Sequence, residues 1–278
     1  AKIFRQAGNI AVIPVTGVIA HRFGYLEPLS GMVGSDAIRA KFKAAEADPS
    51  VKGVLLDINS PGGAVAGTFD LADQIARSSL HVWAVADELA ASAAYALAAA
   101  ADRVILPRTG RVGSIGVVFM HENRSGQMAK QGIEVSLIHA GQRKIDGHPY
   151  AALPGEVRER LQAEVDETHQ MFVETIARYR GMSAAAVRAT EARMYSGSHA
   201  VTAGLADTVM PADAVLGAFR RHLANASARP TRQKNAQAAA PKPTIATMAA
   251  NFWAGERSAQ PPARGNTVRD AHKGRTTQ

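Results

Sequence analysis

Three segments of this sequence bring together the residue types that acyl transfer needs. In LLDINSPGGAVAG (Leu55–Gly67) an apolar run ends in Asn-Ser-Pro-Gly-Gly before a helical pattern begins. Two glycines there let the backbone turn sharply and aim N–H groups outward at a helix start, where they can bind a developing oxyanion. An ordinary strand-to-helix turn is the plain alternative. In ADELAASAAYALAAAADRVILP (Ala86–Pro107) a strand leads into a helix of almost only small residues, with Ser92 near its start. Ser92 is a candidate nucleophile, or simply a cap or a small packing residue. A serine hydroxyl needs a base, because it is a weak nucleophile at its free pKa. SLIHAGQRKIDGHPY (Ser136–Tyr150) supplies Lys144 in a short polar loop. A lysine serves as a base only where burial or cationic neighbours bring its pKa toward neutrality. A lone loop lysine is otherwise a solvated charge, so the residue types alone leave its role open.

The elements that must position these groups are legible in outline. Apolar β-like runs alternate with helical patterns over the first 219 residues, which predicts an α/β core with parallel pairing. Ile10–Val15 and Gly53–Ile58 read as buried strands, and His81–Ala86 and Val104–Leu106 as shorter ones. A further strand is expected at Ile133–Ile138. Helices fit Asp36–Glu46, behind Ser35 as cap, and Val65–Ala76, behind the NSPGG turn. The longest helix is expected from Pro154 to Arg180, with Gly181 as its stop. Val157, Leu161, Val165, Phe172, Ile176 and Tyr179 fall on one face of it, which reads as core or subunit interface.

Composition removes whole classes of function. The chain has 278 residues and no cysteine, which excludes disulfides, zinc–thiolate sites and a cysteine nucleophile. No stretch approaches the ~20 apolar residues that span a bilayer, and the start lacks the pattern of a signal peptide, so a soluble protein is expected. The formal charge of +8 points toward an anionic partner until its location is read. Residues 220–278 carry 11 Lys/Arg against 2 Asp/Glu, leaving 21 and 22 for residues 1–219. The expected folded part is therefore nearly neutral. From Asn225 the sequence turns Ala-, Pro- and Lys/Arg-rich, and a disordered basic tail over 225–278 is expected after a domain at 1–224. Such a tail suits electrostatic contact with an acidic protein or DNA. Within it, ATMAANFWAG (Ala246–Gly255) is a candidate docking segment.

The order and spacing of DINSPGG (Asp57–Gly63), the small-residue segment around Ser92 and Tyr95, ADRV (Ala101–Val104), VGSIGV (Val112–Val117), GQRKIDG (Gly141–Gly147) and RMYSGSHAVTAGLAD (Arg193–Asp207) carry more. Over Asn9–Asp213 the chain resembles the signal peptide peptidase A group of Ser–Lys proteases, within the Clp protease and crotonase superfamily. The resemblance implies a ββα spiral core with flanking helices. It implies Ser92 as nucleophile, Lys144 as general base and Ser114 as a helper that hydrogen-bonds the lysine. Gly63 and Ala93 would supply the oxyanion N–H groups. No metal or cofactor is implied, and a homo-oligomer is. After Ser92 this chain has Ala-Ala-Tyr, where bacterial membrane-bound members usually have Gly-Gly-Tyr. Arg143 is placed to lower the Lys144 pKa by repulsion, and Asp146 to order the loop.

The GQRKIDGHPY loop and the basic extension are most similar to the head maturation proteases of tailed bacteriophages. That likeness implies protein substrates, namely capsid scaffold and portal proteins, and a location in the host cytoplasm or the prohead. Other readings compete. A cytoplasmic signal-peptide-peptidase-like protease shares every motif. A Ser-His-Asp enzyme would use His121, in MHEN, as base, with His139 and His148 as further options. An acyl-CoA hydratase or hydrolase would use the oxyanion pair but gives no reason for Ser92 and Lys144 to co-occur. An assembly subunit with a vestigial site would keep the fold alone.

Overall fold

The computed structural model describes residues 2–23 and 31–226. The chain divides into two units, Ala1–Arg232 and Gln233–Gln278. The second unit, the tail expected over 225–278 beyond residue 226, and the Ala246–Gly255 segment lie outside the described residues.

The first unit runs β1 (Arg5–Ala7), β2 (Ile10–Thr16), β3 (Val18–Ala20), β4 (Met32–Gly34), α1 (Ser35–Ala47), β5 (Gly53–Ser60), α2 (Thr68–Arg77), β6 (His81–Ala91) and α3 (Ala93–Ala99). It continues through β7 (Arg103–Leu106), β8 (Arg111–Gly113), α4 (Ser125–Lys130), α5 (Gly155–Arg180), α6 (Ala184–Arg188), β9 (Met194–Ser196), α7 (Gly197–Thr202), β10 (Thr208–Val209) and α8 (Ala212–Asn225). The central sheet has the order β1-β2-β5-β6-β7-β10, parallel from β2 through β10, with β8 pairing the far end of β6 and β9 pairing β8. It is a mixed α/β architecture, as the alternation of patterns predicts.

Helices cover both faces of the parallel strands, which is why those strands read as unbroken apolar runs. Ala11, Ile13, Val54, Leu56, Val82, Ala84 and Val104 face the larger core with α1, α2, α3 and α5. Ile10, Val12, Leu55, Trp83, Val85 and Ile105 face α8, whose Val215 and Phe219 are fully buried. Trp83 stacks on Phe219 with ring centroids 4.7 Å apart. Gly53 makes room for that ring, since a Cβ there would lie 2.6 Å from it.

Four details differ from the sequence expectations. Strand β6 does not stop at Ala86 but runs to Ala91, because its second half finds a partner in β8 through Leu89↔Arg111 and Ala91↔Gly113. Helix α2 begins at Thr68 rather than Val65, because left-handed Gly67 (φ 79°) turns the chain only there. Ser35 does not cap α1; its hydroxyl donates to the His21 carbonyl, while the neighbouring Asp36 carboxylate accepts from Ala37 N–H. Finally, Ile133–Ile138 forms no strand. Its alternating apolar residues meet no sheet edge, and Ile138 stands fully exposed.

Helix α5 fulfils its pattern, with Pro154 as cap and Gly181 (φ 65°) as left-handed stop. Val157, Phe172 and Ile176 are buried, while Leu161 and Val165 remain half-exposed. Among the described residues no helix is long and apolar enough to cross a membrane.

Candidate active site

Ser92 stands where β6 ends and α3 begins. Its backbone is at φ 53°, ψ −125°, a conformation that costs a non-glycine residue about 1–3 kcal/mol. The surroundings hold it there. Its N–H donates to Gly113 O at 2.9 Å, and its carbonyl accepts from Ala96 N–H at 3.1 Å. All seven residues of α3 are buried, and Tyr95 anchors the helix by donating its hydroxyl to Leu205 O at 2.8 Å. Burial pushes the Tyr95 pKa up, so that hydroxyl stays a donor. The run of alanines has a packing reason: larger side chains would hold α3 away from the sheet.

The glycine pair faces this elbow. A Cβ on Gly62 would lie 2.7 Å from Ser92 Cβ and 2.9 Å from Ala93 N, so only glycine lets the two peptides meet. Gly63 pairs with Ile19 of β3 in a single parallel bridge. The bonds of that bridge run from Ile19 N–H to Gly62 O and from Ala64 N–H to Ile19 O, each 2.7 Å. The Gly63 N–H lies outside them. Ala93, as first residue of its helix, has no acceptor for its N–H within the helix. Gly62 thus brings the glycine loop against Ser92 and the start of α3.

Ser114 follows β8 as Ser92 follows β6, and Ala91↔Gly113 is the last register pair between the two strands. The serines are thus brought to the ends of adjacent strands, and Ser114 also has positive φ (54°). Its N–H donates to Arg193 O at 3.1 Å. Gly113 lies so close to that oxygen that a Cβ would collide with it. Glu191 (φ 49°) and Ala192 (φ 52°) make the left-handed turn that presents Arg193. Beside them, Gly116, Val165, His169 and Arg188 line an open cavity of 370 Å³. These supports escape a reading by residue type, because a backbone carbonyl has no side-chain signature; only the GSIG and RMYSG motifs point to them.

Lys144 is placed differently. It sits on an exposed turn, its N–H donating to Gly141 O at 3.2 Å. Among the described residues no hydrogen bond or ion pair joins it to Ser92 or Ser114. The turn itself is tied down: Asp146 pairs with Arg160 of α5, and Arg160 also bonds Glu156 at 2.6 Å. Asp146 therefore orders the loop. His121 Nε2 lies 3.0 Å from His148 O, where it must donate, and His139 Nδ1 lies 3.0 Å from Gly141 O. Both histidines serve loop structure here. Among the described residues no cluster of His, Asp and Glu has the makings of a metal site.

The description "Peptidase family S49" matches residues 74–226, more than half of the chain. The chain is 45% identical over 214 residues to the head-tail preconnector protein GP5 of Enterobacteria phage P21, covering 76% of this chain and 43% of that one. It is 46% identical over 212 residues to capsid assembly protease C of Escherichia phage lambda, covering 76% and 48%. A more distant likeness, 26% over 210 residues, links it to protease 4 of Haemophilus influenzae, covering 74% and 33%. The chain thus spans less than half the length of the two phage relatives. The matched region contains the β6–α3 elbow, the β8 support and the loop of Lys144, and the chain belongs to peptidase family S49.

Proposed function

We propose that this protein is a serine endopeptidase that cuts capsid scaffold or portal proteins during phage or prophage head maturation. The observation that carries the reading is the Ser92 elbow, held at positive φ with the glycine loop packed against it through Gly62, in a chain 46% identical to a capsid assembly protease. Ser92 is the nucleophile and Lys144 the general base. Neutral Lys144 takes the Ser92 proton as the oxygen attacks the peptide carbonyl, and the Gly63 and Ala93 N–H groups hold the oxyanion. Lysine returns the proton to the leaving amine. Water then attacks the acyl ester, giving its proton to Lys144, and releases the carboxylate and Ser92. Ser114 assists by holding the lysine.

The finer architecture goes with the proposal: a ββα spiral of the Clp and crotonase kind over 1–224, a basic tail over 225–278, and a homo-oligomer working in the host cytoplasm or prohead. Lys144 is exposed, so the dyad requires the Lys144 loop to be brought against Ser92, as assembly into the homo-oligomer would do. The test is intact mass and fragment sequencing of a candidate scaffold protein incubated with wild type, Ser92→Ala and Lys144→Ala. Cleavage by wild type and by neither folded variant is expected. Cleavage surviving in Lys144→Ala would sink the dyad, and no cleavage by assembled wild type would favour an inactive assembly subunit.

A further inference from the structure

The loop that carries the glycine pair, Pro61–Gly67, is fastened along both halves. Its first half is held by the Ile19 bridge of β3. Two side chains reach its second half: His21 Nδ1 lies 2.9 Å from Ala66 O, and Arg39 Nη2 donates to Gly67 O at 3.3 Å. A carbonyl only accepts, so His21 donates from Nδ1, which both its Nδ1–H tautomer and its imidazolium can do. Each donor is itself braced. Ser35 Oγ donates to the His21 carbonyl at 2.7 Å, and Arg39 Nη1 donates to Gln74 of α2 at 3.1 Å. Gly67 belongs to the same arrangement, since a Cβ there would lie 2.8 Å from His21 Nδ1.

We infer that His21 and Arg39 are positioning residues for cleavage: together they clamp the Pro61–Gly67 loop so that the Gly63 N–H is held at the oxyanion. Neither touches the reacting atoms. Both work through carbonyls that lie three and four residues beyond Gly63 on the same short loop, and Gly62 already packs on Ser92 without slack. Loss of a clamp is therefore felt as displacement of a donor rather than as unfolding. Removing an oxyanion donor outright costs about 100- to 1,000-fold in kcat, and misplacement by about 1 Å costs on the order of 100-fold. Loosening one of two ties is expected to cost about 10-fold. The inference rests on the reading of Ser92 as nucleophile and Gly63 as donor.

The test compares full-length variants in pairs. His21→Asn offers an N–H close to where Nδ1 sits, whereas His21→Asp turns an oxygen toward the Ala66 carbonyl. Arg39→Lys keeps one donor, and Arg39→Met keeps none. Peptide cleavage, labelling of Ser92 by a fluorophosphonate and thermal melting are measured on each. His21→Asp and Arg39→Met are expected to lower kcat about 10-fold with KM and melting temperature held, and the two conservative variants to recover most of it. Activity unchanged in all four, or lost in step with melting temperature, would overturn the clamp. A wild type whose Ser92 is not labelled would overturn the nucleophile reading itself, and the clamp with it.

Discussion

Ser92 carries two demands that conflict, one on its side chain and one on its backbone. The side chain must project from the sheet edge, and the φ of 53° that achieves this is a conformation glycine adopts at no steric cost. Ser92→Gly is therefore expected to melt higher than Ser92→Ala by the equivalent of about 1 kcal/mol, with both devoid of cleavage. Thermal denaturation of the two variants side by side checks this; equal stabilities would mean that the surrounding bonds, not the side chain, set the strain. The junction at Ser92 was legible beforehand as a strand running into an alanine-rich helix, which β6 and α3 form. The supports were not: Gly113 O, which accepts from Ser92 N–H, and Arg193 O, which accepts from Ser114 N–H, come from segments 21 and 101 residues downstream of Ser92, and nothing in the type of those residues announces a carbonyl. Lys144 was named only through resemblance, and its exposure explains why physical pattern could not single it out.

At the scale of elements, periodicity read well where burial is one-sided or complete, as in α5, β2 and β5. It misled at Ile133–Ile138, where alternation is present but an edge to pair with is not. Helix α8 adds a feature that only packing reveals. His222 on α8 meets His81 of β6 edge-on at 5.1 Å and tilts over Trp83 at 5.3 Å, and the Arg103 guanidinium of β7 also lies over the Trp83 ring at 5.3 Å. Burial, then His81, then Arg103 lower the His222 pKa, and Asp102 opposes them. An imidazole whose pKa is lowered in the fold is protonated first in the unfolded chain as pH falls below about 6.5. Native stability is then expected to decline as pH drops through that window and to level off above it. Melting of Ser92→Ala, which cannot digest itself, measured from pH 8 to pH 5 gives the slope. The added change His222→Gln is expected to flatten it, and an identical slope would show that other groups carry it.

At the scale of the whole molecule, a packed sheet core contrasts with an arm between β8 and α5 that leaves several large apolar side chains uncovered. Between β8 and α5, Val118 is 89% exposed, Met120 81% and Ile138 101%. Burying such a side chain contributes about 1.5–3 kcal/mol, so leaving three in water within one segment needs a reason. The same arm carries Lys144, which is exposed and makes no hydrogen bond to Ser92 among the described residues. The proposed homo-oligomer would answer both facts, because a second copy of this chain could cover the apolar residues and reorder the arm in one step. Light scattering is expected to find wild type in an assembly larger than a monomer. The triple variant Val118→Ser, Met120→Ser, Ile138→Ser is expected to run as a folded monomer without cleavage. A triple variant that assembles and cuts as wild type does would remove the arm from the interface, and an active wild-type monomer would show that the arm closes on its own chain.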